Sequence, residues 1–390
     1  MTGPLALVKP ELLVWARTSA GLSHADVAKK MNVEPARLAS WEAGAERLTI
    51  PQLRKFAEVC KRPLAVFFLA TPPKGWDPMK DFRMVAGAEP RPQSPELRLA
   101  IREAWERRAV CVELARDLGD TTSELAHPKG RTRDAEKVAE HIRKMLGVSV
   151  GQQRAWGGAE AAFSRWRTVL EDRDVLVFSF PGVQVDEARG FAINHRPFPV
   201  IAVNSNDMPA GRSFTLMHEL AHVLSHAETS VCSMADRDAS SDEAFCNHVA
   251  AAVLVPRDAL LAEGEVSTAQ STSRWADDVL QRFARTYGVS REVVLRRLLT
   301  LGKTSPAFYA EKRAMFQEEY RRWVRKRSES EGGPTYLTTV VSRHGRLYPR
   351  VVFEAYSQAT ITASEASTYL GVKTKHFRSL ESDVFTQMHP

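Results

Sequence analysis

The stretch that decides the fold is FTLMHELAH, residues 214–222, in which His218, Glu219 and His222 form an HExxH motif. Apolar residues surround the motif at helical spacing, and this predicts a largely buried helix over residues 214–226. Two imidazoles four residues apart lie on one helix face, about 6 Å apart, which suits one shared tetrahedral ion. The motif therefore predicts a metal site on a buried helix.

Glu219 directly follows the first imidazole, so its carboxylate is expected beside the ion and not on it. Zinc lowers the pKa of a bound water toward about 7 and polarises a scissile carbonyl. A carboxylate in that position is suited to take the proton of the metal-bound water as it attacks a peptide carbonyl. We therefore predict zinc as the cofactor and Glu219 as the catalytic base. The alternative is a helix whose histidines are simply packed or solvated, and the apolar surroundings argue against it.

A catalytic zinc needs a third protein ligand. The stretch SDEAFCNH, residues 241–248, opens a second predicted helix that ends before Pro256. Glu243 lies near the start of this helix, and Asn247 lies one turn later on the same face. A second helix crossing under the first would bring Glu243 to the ion, with Asn247 as a supporting residue.

Spacing favours Glu243 only modestly, because three other side chains compete for the third position: Asp242, His226 and His248. His226 continues the face of His218, but it lies about 12 Å further along the helix axis. It cannot share one ion with the motif and is interpreted as a second supporting residue. The transition-state oxyanion needs a further donor, and the sequence offers four without selecting among them: Asn194, His195, Arg212 and His248.

The N-terminal stretch LSHADVAKKM, residues 22–31, predicts a short helix capped by Ser23. Asn32 follows, and asparagine tolerates the left-handed conformation of a tight turn. A second helix is predicted over residues 34–43, with Leu38 and Trp41 on its inner face. This pattern predicts a helix-turn-helix.

The exposed start of that second helix would face the major groove of DNA. The Arg37 guanidinium could donate two hydrogen bonds to a guanine, and the Glu34 carboxylate could accept a hydrogen bond from a cytosine amino group. Ser40 lies on the same side of the helix. These three residues are the predicted DNA contacts. The alternative is a helical bundle that docks a protein.

The remaining pattern is mostly helical, with short strands predicted only at residues 175–180, 189–194 and 199–204. The predicted fold class is α+β, with a helix-turn-helix bundle before a metallopeptidase domain that contains a small sheet. Four parts are predicted: a DNA-binding domain over residues 1–72, a helical connector over 73–150, the peptidase domain over 151–330 and a C-terminal helical module over 331–390. In that module, the pattern of residues 361–372 predicts a capped helix followed by a turn. This element could belong to a second helix-turn-helix or to a lid on the peptidase.

Composition restricts the partners and the cellular compartment that we expect for this chain. The chain of 390 residues has 54 Lys+Arg against 47 Asp+Glu, a mild basic excess that permits a polyanionic partner without requiring one. Its four cysteines form no CxxC pair, which argues against a thiolate zinc site and a disulfide framework. No apolar stretch is long enough for a bilayer. We therefore expect a cytoplasmic protein without a membrane partner.

Both halves resemble known families. GRSFTLMHELAHVLSH and EAFCNHVAAAVLVP resemble the ImmA/IrrE-type metallopeptidases, and the likeness extends upstream through RGFAI and PVIAVN to cover at least residues 175–256. The N-terminal stretch resembles the Cro/repressor-type (XRE) helix-turn-helix, including Trp41-Glu42-x-Gly44, although His24 stands where glutamine is common.

The first resemblance implies a gluzincin-like endopeptidase with two histidine ligands, Glu243 as the third ligand and Glu219 as the base. Cys246 stands where alanine is usual and Val249 where phenylalanine is usual, and both are interpreted as packing changes. Family members act on, or antagonise, helix-turn-helix repressors. The predicted function is a DNA-bound regulator whose zinc endopeptidase cleaves a repressor or other partner protein. The alternative is a non-catalytic DNA-binding regulator or antitoxin that keeps the peptidase fold for sensing or docking.

Overall fold

A computed structural model describes residues 3–73, 93–120, 125, 133–225, 230–232, 241–329 and 335–385. These residues divide into two compact units, residues 3–73 with 93–103 and residues 104–385. Within the described ranges, none of the helices combines the length and apolar character that crossing a bilayer requires.

The first unit is a helical bundle. Its elements are α1 (Pro10–Ser19), α2 (His24–Met31), α3 (Pro35–Glu42), α4 (Ile50–Val59), a 3-10 turn (Leu64–Phe68) and the start of α5 (Pro95–Leu118). Ser23 and Asp26 cap α2 reciprocally, and Asn32 adopts the predicted left-handed conformation with φ 58°. Leu38 and Trp41 of α3 are buried in the bundle core, so the predicted helix-turn-helix is formed.

One buried carboxylate joins α1, α2 and α3 of this bundle. Glu42, at the end of α3, accepts two hydrogen bonds from Arg17 of α1, at 2.7 and 2.8 Å. His24, the first residue of α2, lies 3.0 Å from the same carboxylate. His24 therefore stabilises the helix-turn-helix internally at the position where glutamine is common in the family that the sequence resembles.

The second unit contains the remaining helices and a small sheet. Its helices are α6 (Ala135–Leu146), α7 (Val150–Arg154), α8 (Ala159–Glu171), α9 (Pro209–Leu224), α10 (Ser241–Leu254), α11 (Arg257–Leu261), α12 (Gly264–Ser267), α13 (Asp277–Tyr287), α14 (Arg291–Thr300), α15 (Pro306–Glu329), α16 (Tyr336–His344), α17 (Leu347–Ser357), α18 (Ala363–Leu370) and α19 (Phe377–Phe385). Its strands are β1 (Leu176–Phe180), β2 (Gly190–Ile193), β3 (Val200–Asn204) and β4 (Ser230–Cys232).

The sheet has the order β1-β3-β2-β4. Strand β1 pairs in parallel with β3, and β2 pairs antiparallel with both β3 and β4. Every residue of β1, β2 and β3 is buried, as expected for strands covered on both faces. Helix α9 packs on β2 and β3, and α10 packs between α9 and α6. The α+β prediction is confirmed, and the three predicted strands are observed within one residue of their limits.

The helix that carries the HExxH motif begins earlier than predicted, at Pro209 instead of residue 214. Proline suits the first helical position because that position has no hydrogen-bond partner for an N–H. Asp207 accepts the Met208 N–H at 2.8 Å and also pairs with Arg189 at 2.9 Å. These contacts fix the start of α9 against the strand layer, an arrangement that the apolar periodicity does not encode.

The far end of α10 is held by three polar side chains. Arg143 of α6 donates to the carbonyl of Val253, and Gln153 of α7 donates to that of Leu254, at 2.7 and 2.8 Å. Arg297 of α14 donates to the carbonyl that precedes Pro256, at 2.9 Å. The last carbonyls of a helix have no partner within the helix and carry partial negative charge, so these donors stabilise the terminus. They fix the position of the helix that begins with Glu243.

Helix α6 thus belongs to the core of the second unit, although it lies within residues 73–150, the predicted connector. The C-terminal helices α16 and α17 pack against β1. The four predicted domain limits stay predictions.

An ion pair between a buried arginine and a half-buried glutamate joins α14 to α6. Arg297 is fully buried and donates to both carboxylate oxygens of Glu136, at 2.6 and 3.0 Å, and His248 of α10 lies 3.1 Å from the same carboxylate. Burial raises the pKa of the Glu136 carboxyl, but hydrogen bonds from Arg297 and His248 outweigh it, and the pKa lies below its ordinary value. The stabilisation is therefore present at neutral pH and is lost as the pH falls through the pKa of the folded state.

We predict that Arg297→Met lowers the free energy of unfolding by about 1–3 kcal/mol, because it removes the donor to the half-buried Glu136 carboxylate and to the Val255 carbonyl. The double variant Arg297→Met/Glu136→Leu should be more stable than this single variant and lose less stability between neutral pH and about pH 4 than the parent chain. Chemical denaturation measures both effects. The control Arg285→Met, at an exposed position of α13, should change stability by no more than about 0.5 kcal/mol. A similarly small effect of Arg297→Met would contradict the account.

Candidate metal centre and helix-turn-helix

Three buried side chains from two helices converge on one point. His218 and His222 lie one turn apart on α9, and their Nε2 atoms are 3.0 Å from each other. Glu243, at the start of α10, places Oε2 3.1 Å from His218 Nε2 and Oε1 3.1 Å from His222 Nε2. Each of the three residues is at most 5% exposed. The crossing of α10 against α9 therefore assembles the set that the sequence suggested.

The chemistry of this set fits a divalent cation. One ligand atom from each residue lies within 4.8 Å of the others. Donor atoms around a tetrahedral ion with bonds of 2.0–2.1 Å lie about 3.3 Å apart, and the observed separations are within a few tenths of an ångström of this value. Two imidazoles and one carboxylate are also a donor set found in catalytic zinc sites.

The carboxylate of Glu243 is held in its charged form. Burial raises the pKa of the Glu243 carboxyl, but hydrogen bonds from His218 and His222 outweigh it and hold the pKa at about 2. An ionised carboxylate facing two imidazole nitrogens has the form that a cation requires, because ligands must be deprotonated to bind a metal.

Two of the three competing third ligands, Asp242 and His248, pair with other residues. Asp242 is exposed and pairs with Arg133 at 3.4 Å. His248 lies 3.1 Å from Glu136 of α6. His226 lies outside the described residues, so its supporting role is not tested. The structure thus brings Glu243 to the two histidines.

Glu219 is fully buried on the face of α9 that meets the sheet. A methyl group at Gly190 would lie 3.5 Å from Glu219 Oε1, and it would come within 2.4 Å of the Thr215 methyl and 2.8 Å of the Ala202 carbonyl. Strand β2 can therefore pass close beneath Glu219 only because residue 190 has no side chain. Sequence reasoning missed this residue, although a glycine inside a predicted strand is a signal for close backbone approach.

Cys246 is the second residue that the sequence analysis undervalued. Its Sγ lies 3.7 Å from Nδ1 of His222, and both side chains are buried. Cys246 follows Glu243 by three residues and so lies on the same face of α10. The thiol contacts the ring nitrogen that points away from the cluster, which is the position from which a supporting group orients a histidine ligand. Cys246 thus contacts a histidine of the cluster, and its interpretation as a packing change stays a prediction.

Asn247, the predicted supporting residue, is half-buried on α10, one turn beyond Glu243, and its supporting role stays a prediction.

The four proposed oxyanion donors lie in different surroundings. Arg212 pairs with Glu160 of α8 at 3.1 Å. The ring of His195, two residues beyond β2, packs edge-on against Trp105 with centroids 4.8 Å apart, and Asn194 is half-buried beside it. Arg212 is thus engaged with a carboxylate, as is His248.

The predicted DNA contacts share one side of α3. Glu34 and Arg37 are exposed and Ser40 is half-buried. The Arg37 guanidinium lies over the Trp41 ring, 5.6 Å from its centroid, and 3.6 Å from the exposed Glu46 carboxylate. The start of the second helix is thus accessible to a groove, and its base contacts stay a prediction.

Comparison with known families agrees with both halves. Residues 170–299 match the family model of the IrrE N-terminal-like domain, peptidase family M78. Residues 13–67 match a helix-turn-helix family model. No curated protein matches the chain. The chain therefore joins an N-terminal helix-turn-helix domain to a domain of the IrrE-like peptidase family, and the resemblance stated from the sequence is confirmed. These two domains fit a DNA-binding regulator with a peptidase-like domain.

Proposed function

We propose that the His218–His222–Glu243 cluster binds zinc and that the second unit is a metalloendopeptidase. The observation that carries this proposal is the convergence of three buried donor atoms within 4.8 Å. When bound, zinc supplies a Lewis acid that polarises a peptide carbonyl and makes water acidic. Membership of a peptidase family supports the same reaction class.

The chain's own residues provide the acid–base chemistry. Glu219 directly follows His218 on α9 and is not one of the three residues of the cluster. As general base it takes a proton from the attacking water, and as general acid it returns that proton to the leaving amine. Burial between α9 and β2 keeps the carboxylate out of bulk solvent and so preserves its orientation between the two steps.

The first unit is proposed to bring this activity to DNA. The exposed start of α3 would enter the major groove, with Glu34 and Arg37 reaching base edges and Ser40 beside them. A repressor bound at the same operator is then a natural substrate. We therefore propose a DNA-bound regulator that cleaves a repressor or other partner protein.

The first test compares three variants of the full chain for zinc content and peptide cleavage. Glu219→Gln should keep one zinc per chain and lose cleavage, because the ligands are unchanged and the base is gone. His222→Ala should lose zinc, because two ligands hold the ion poorly. Glu140→Gln, at an exposed position of α6, is the matched control and should behave as the parent chain.

Zinc is measured by elemental analysis. Cleavage is measured by mass spectrometry of new termini in a proteome-derived peptide library and in purified helix-turn-helix repressors from the same organism. Cleavage by Glu219→Gln at the parental rate would show that the base is misassigned. A parent chain that binds zinc and DNA but produces no new termini would favour the non-catalytic regulator.

A second prediction concerns the orientation of His222. Cys246→Val keeps a side chain of similar size but removes the group that contacts His222 Nδ1, so zinc affinity should fall by about 10- to 100-fold. Cys246→Ser retains a polar partner and should recover much of that affinity. Competition with a chromogenic chelator measures both constants. Equal affinity in the parent chain and the valine variant would mean that the thiol only fills space.

A further inference from the structure

Residues 362–385 share with the N-terminal helix-turn-helix the cap and length of the first helix, the turn, and the buried positions of the second helix. Helix α18 has the same length as α2, eight residues. Ser23 caps α2 reciprocally with Asp26, and Thr362 caps α18 in the same way with Glu365. The first helix of the motif thus starts with the same chemistry at both ends of the chain.

The turn is also the same. Asn32 and Gly371 end the two helices with φ angles of 58° and 63°. The N–H of the next residue, Val33 or Val372, then donates to the carbonyl five residues earlier, at 3.0 and 3.1 Å. The angle between two helices is set by the turn that joins them, so equal turns lead the chain into its second helix in the same way.

The second helix continues the correspondence. After Gly371 the chain forms a 3-10 turn at Thr374–His376 and then α19. Phe377 and Leu380 are buried at the positions that Leu38 and Trp41 hold in α3. Phe377 packs edge-on against Phe353 of α17, with centroids 5.5 Å apart. Helix α17 therefore packs against the buried side of α19, and the exposed residues of α19 lie on its other side.

The outward side of this second motif is basic. Lys373, Lys375 and Arg378 are exposed around the start of α19. The corresponding residues of the N-terminal motif are Glu34, Ala36 and Ala39. Within the described part of the chain, no carboxylate forms an ion pair with any of the three cations. The C-terminal motif therefore offers three positive charges at positions where the N-terminal motif has one negative charge.

Local geometry alone would not justify a binding site, and α13 with α14 shows why. These helices are joined by Gly288, with φ 66°, and Ser290 caps the second one. Their turn resembles the other two, but Leu295, at the position equivalent to Arg378, is fully buried in the core of the second unit. A helix covered on that side cannot approach a groove. The C-terminal motif differs because its equivalent position is exposed and charged.

We propose that residues 362–385 form a second DNA-binding helix-turn-helix, which docks on duplex DNA with Lys373, Lys375 and Arg378 against phosphates. The wide major groove of B-form DNA admits an α-helix, whereas the deep and narrow major groove of duplex RNA does not. Ser379, exposed on the same helix end, would point toward the groove. This inference goes beyond the proposed peptidase activity and does not depend on it.

The test uses the full chain and a random-sequence DNA duplex of about 20 base pairs, over a series of KCl concentrations. Each phosphate contact contributes about 0.9 to the slope of log K against log salt concentration. The variant Lys373→Gln/Lys375→Gln/Arg378→Gln should therefore flatten the slope by about 2.7. The matched control Lys144→Gln/Arg165→Gln/Arg257→Gln removes three exposed charges from α6, α8 and α11. This control should leave the salt slope unchanged.

Lysine acetylation in the presence of the same duplex separates this surface from the N-terminal motif. Saturating DNA should protect Lys373 and Lys375 in the parent chain and leave Lys144 reactive. Equal slopes for all three proteins, equal flattening by both triple variants, or unprotected lysines would each overturn the proposal. Competition by duplex RNA as strong as that by DNA would also overturn it, because it would indicate a general polyanion surface. Loss of a protein partner with unchanged DNA binding would identify a protein-docking face instead.

Discussion

The second unit depends on where α10 crosses α9. Three ligand atoms meet only because the start of α10 lies against the middle of α9, and that placement is fixed at the opposite end of α10. There Arg143, Gln153 and Arg297 take up the last carbonyls of the helix. Two of these donors are cationic and buried, so the anchor combines hydrogen bonding with the helix dipole. A polar cap about one helix length away thus positions a carboxylate beside two imidazoles.

The sequence predicts the contacts of the site between residues close in the chain better than the contacts between distant segments. His218 and His222 are local neighbours on one helix, so their spacing alone predicts a shared ion. Glu243 reaches them across a helix crossing, and spacing could only favour it over its competitors. Cys246 was visible as a residue on the Glu243 face, but its contact with His222 depends on the rotation of α10, which no periodicity encodes.

The same difference between local and distant contacts applies to the prediction of the fold. The three β-branched and aromatic segments predicted β1, β2 and β3 because their patterns are local, whereas the short edge strand β4 has no comparable signal. Helix α6 was predicted as an element, but its packing against α10 arises from contacts more than a hundred residues apart in sequence, such as that between Arg143 and Val253. The helix-turn-helix geometry occurs repeatedly along the chain, and burial of the second helix decides whether it builds a core or a surface.

The most direct measurement is X-ray absorption at the zinc edge on the full chain loaded with one equivalent of zinc. The account predicts two imidazole nitrogens at about 2.0–2.1 Å and carboxylate oxygen at about 2.0–2.2 Å, without sulfur. A sulfur shell at about 2.3 Å would place a thiolate such as Cys246 on the ion. A shell without the multiple-scattering pattern of imidazole would contradict the convergence of α9 and α10 on one metal.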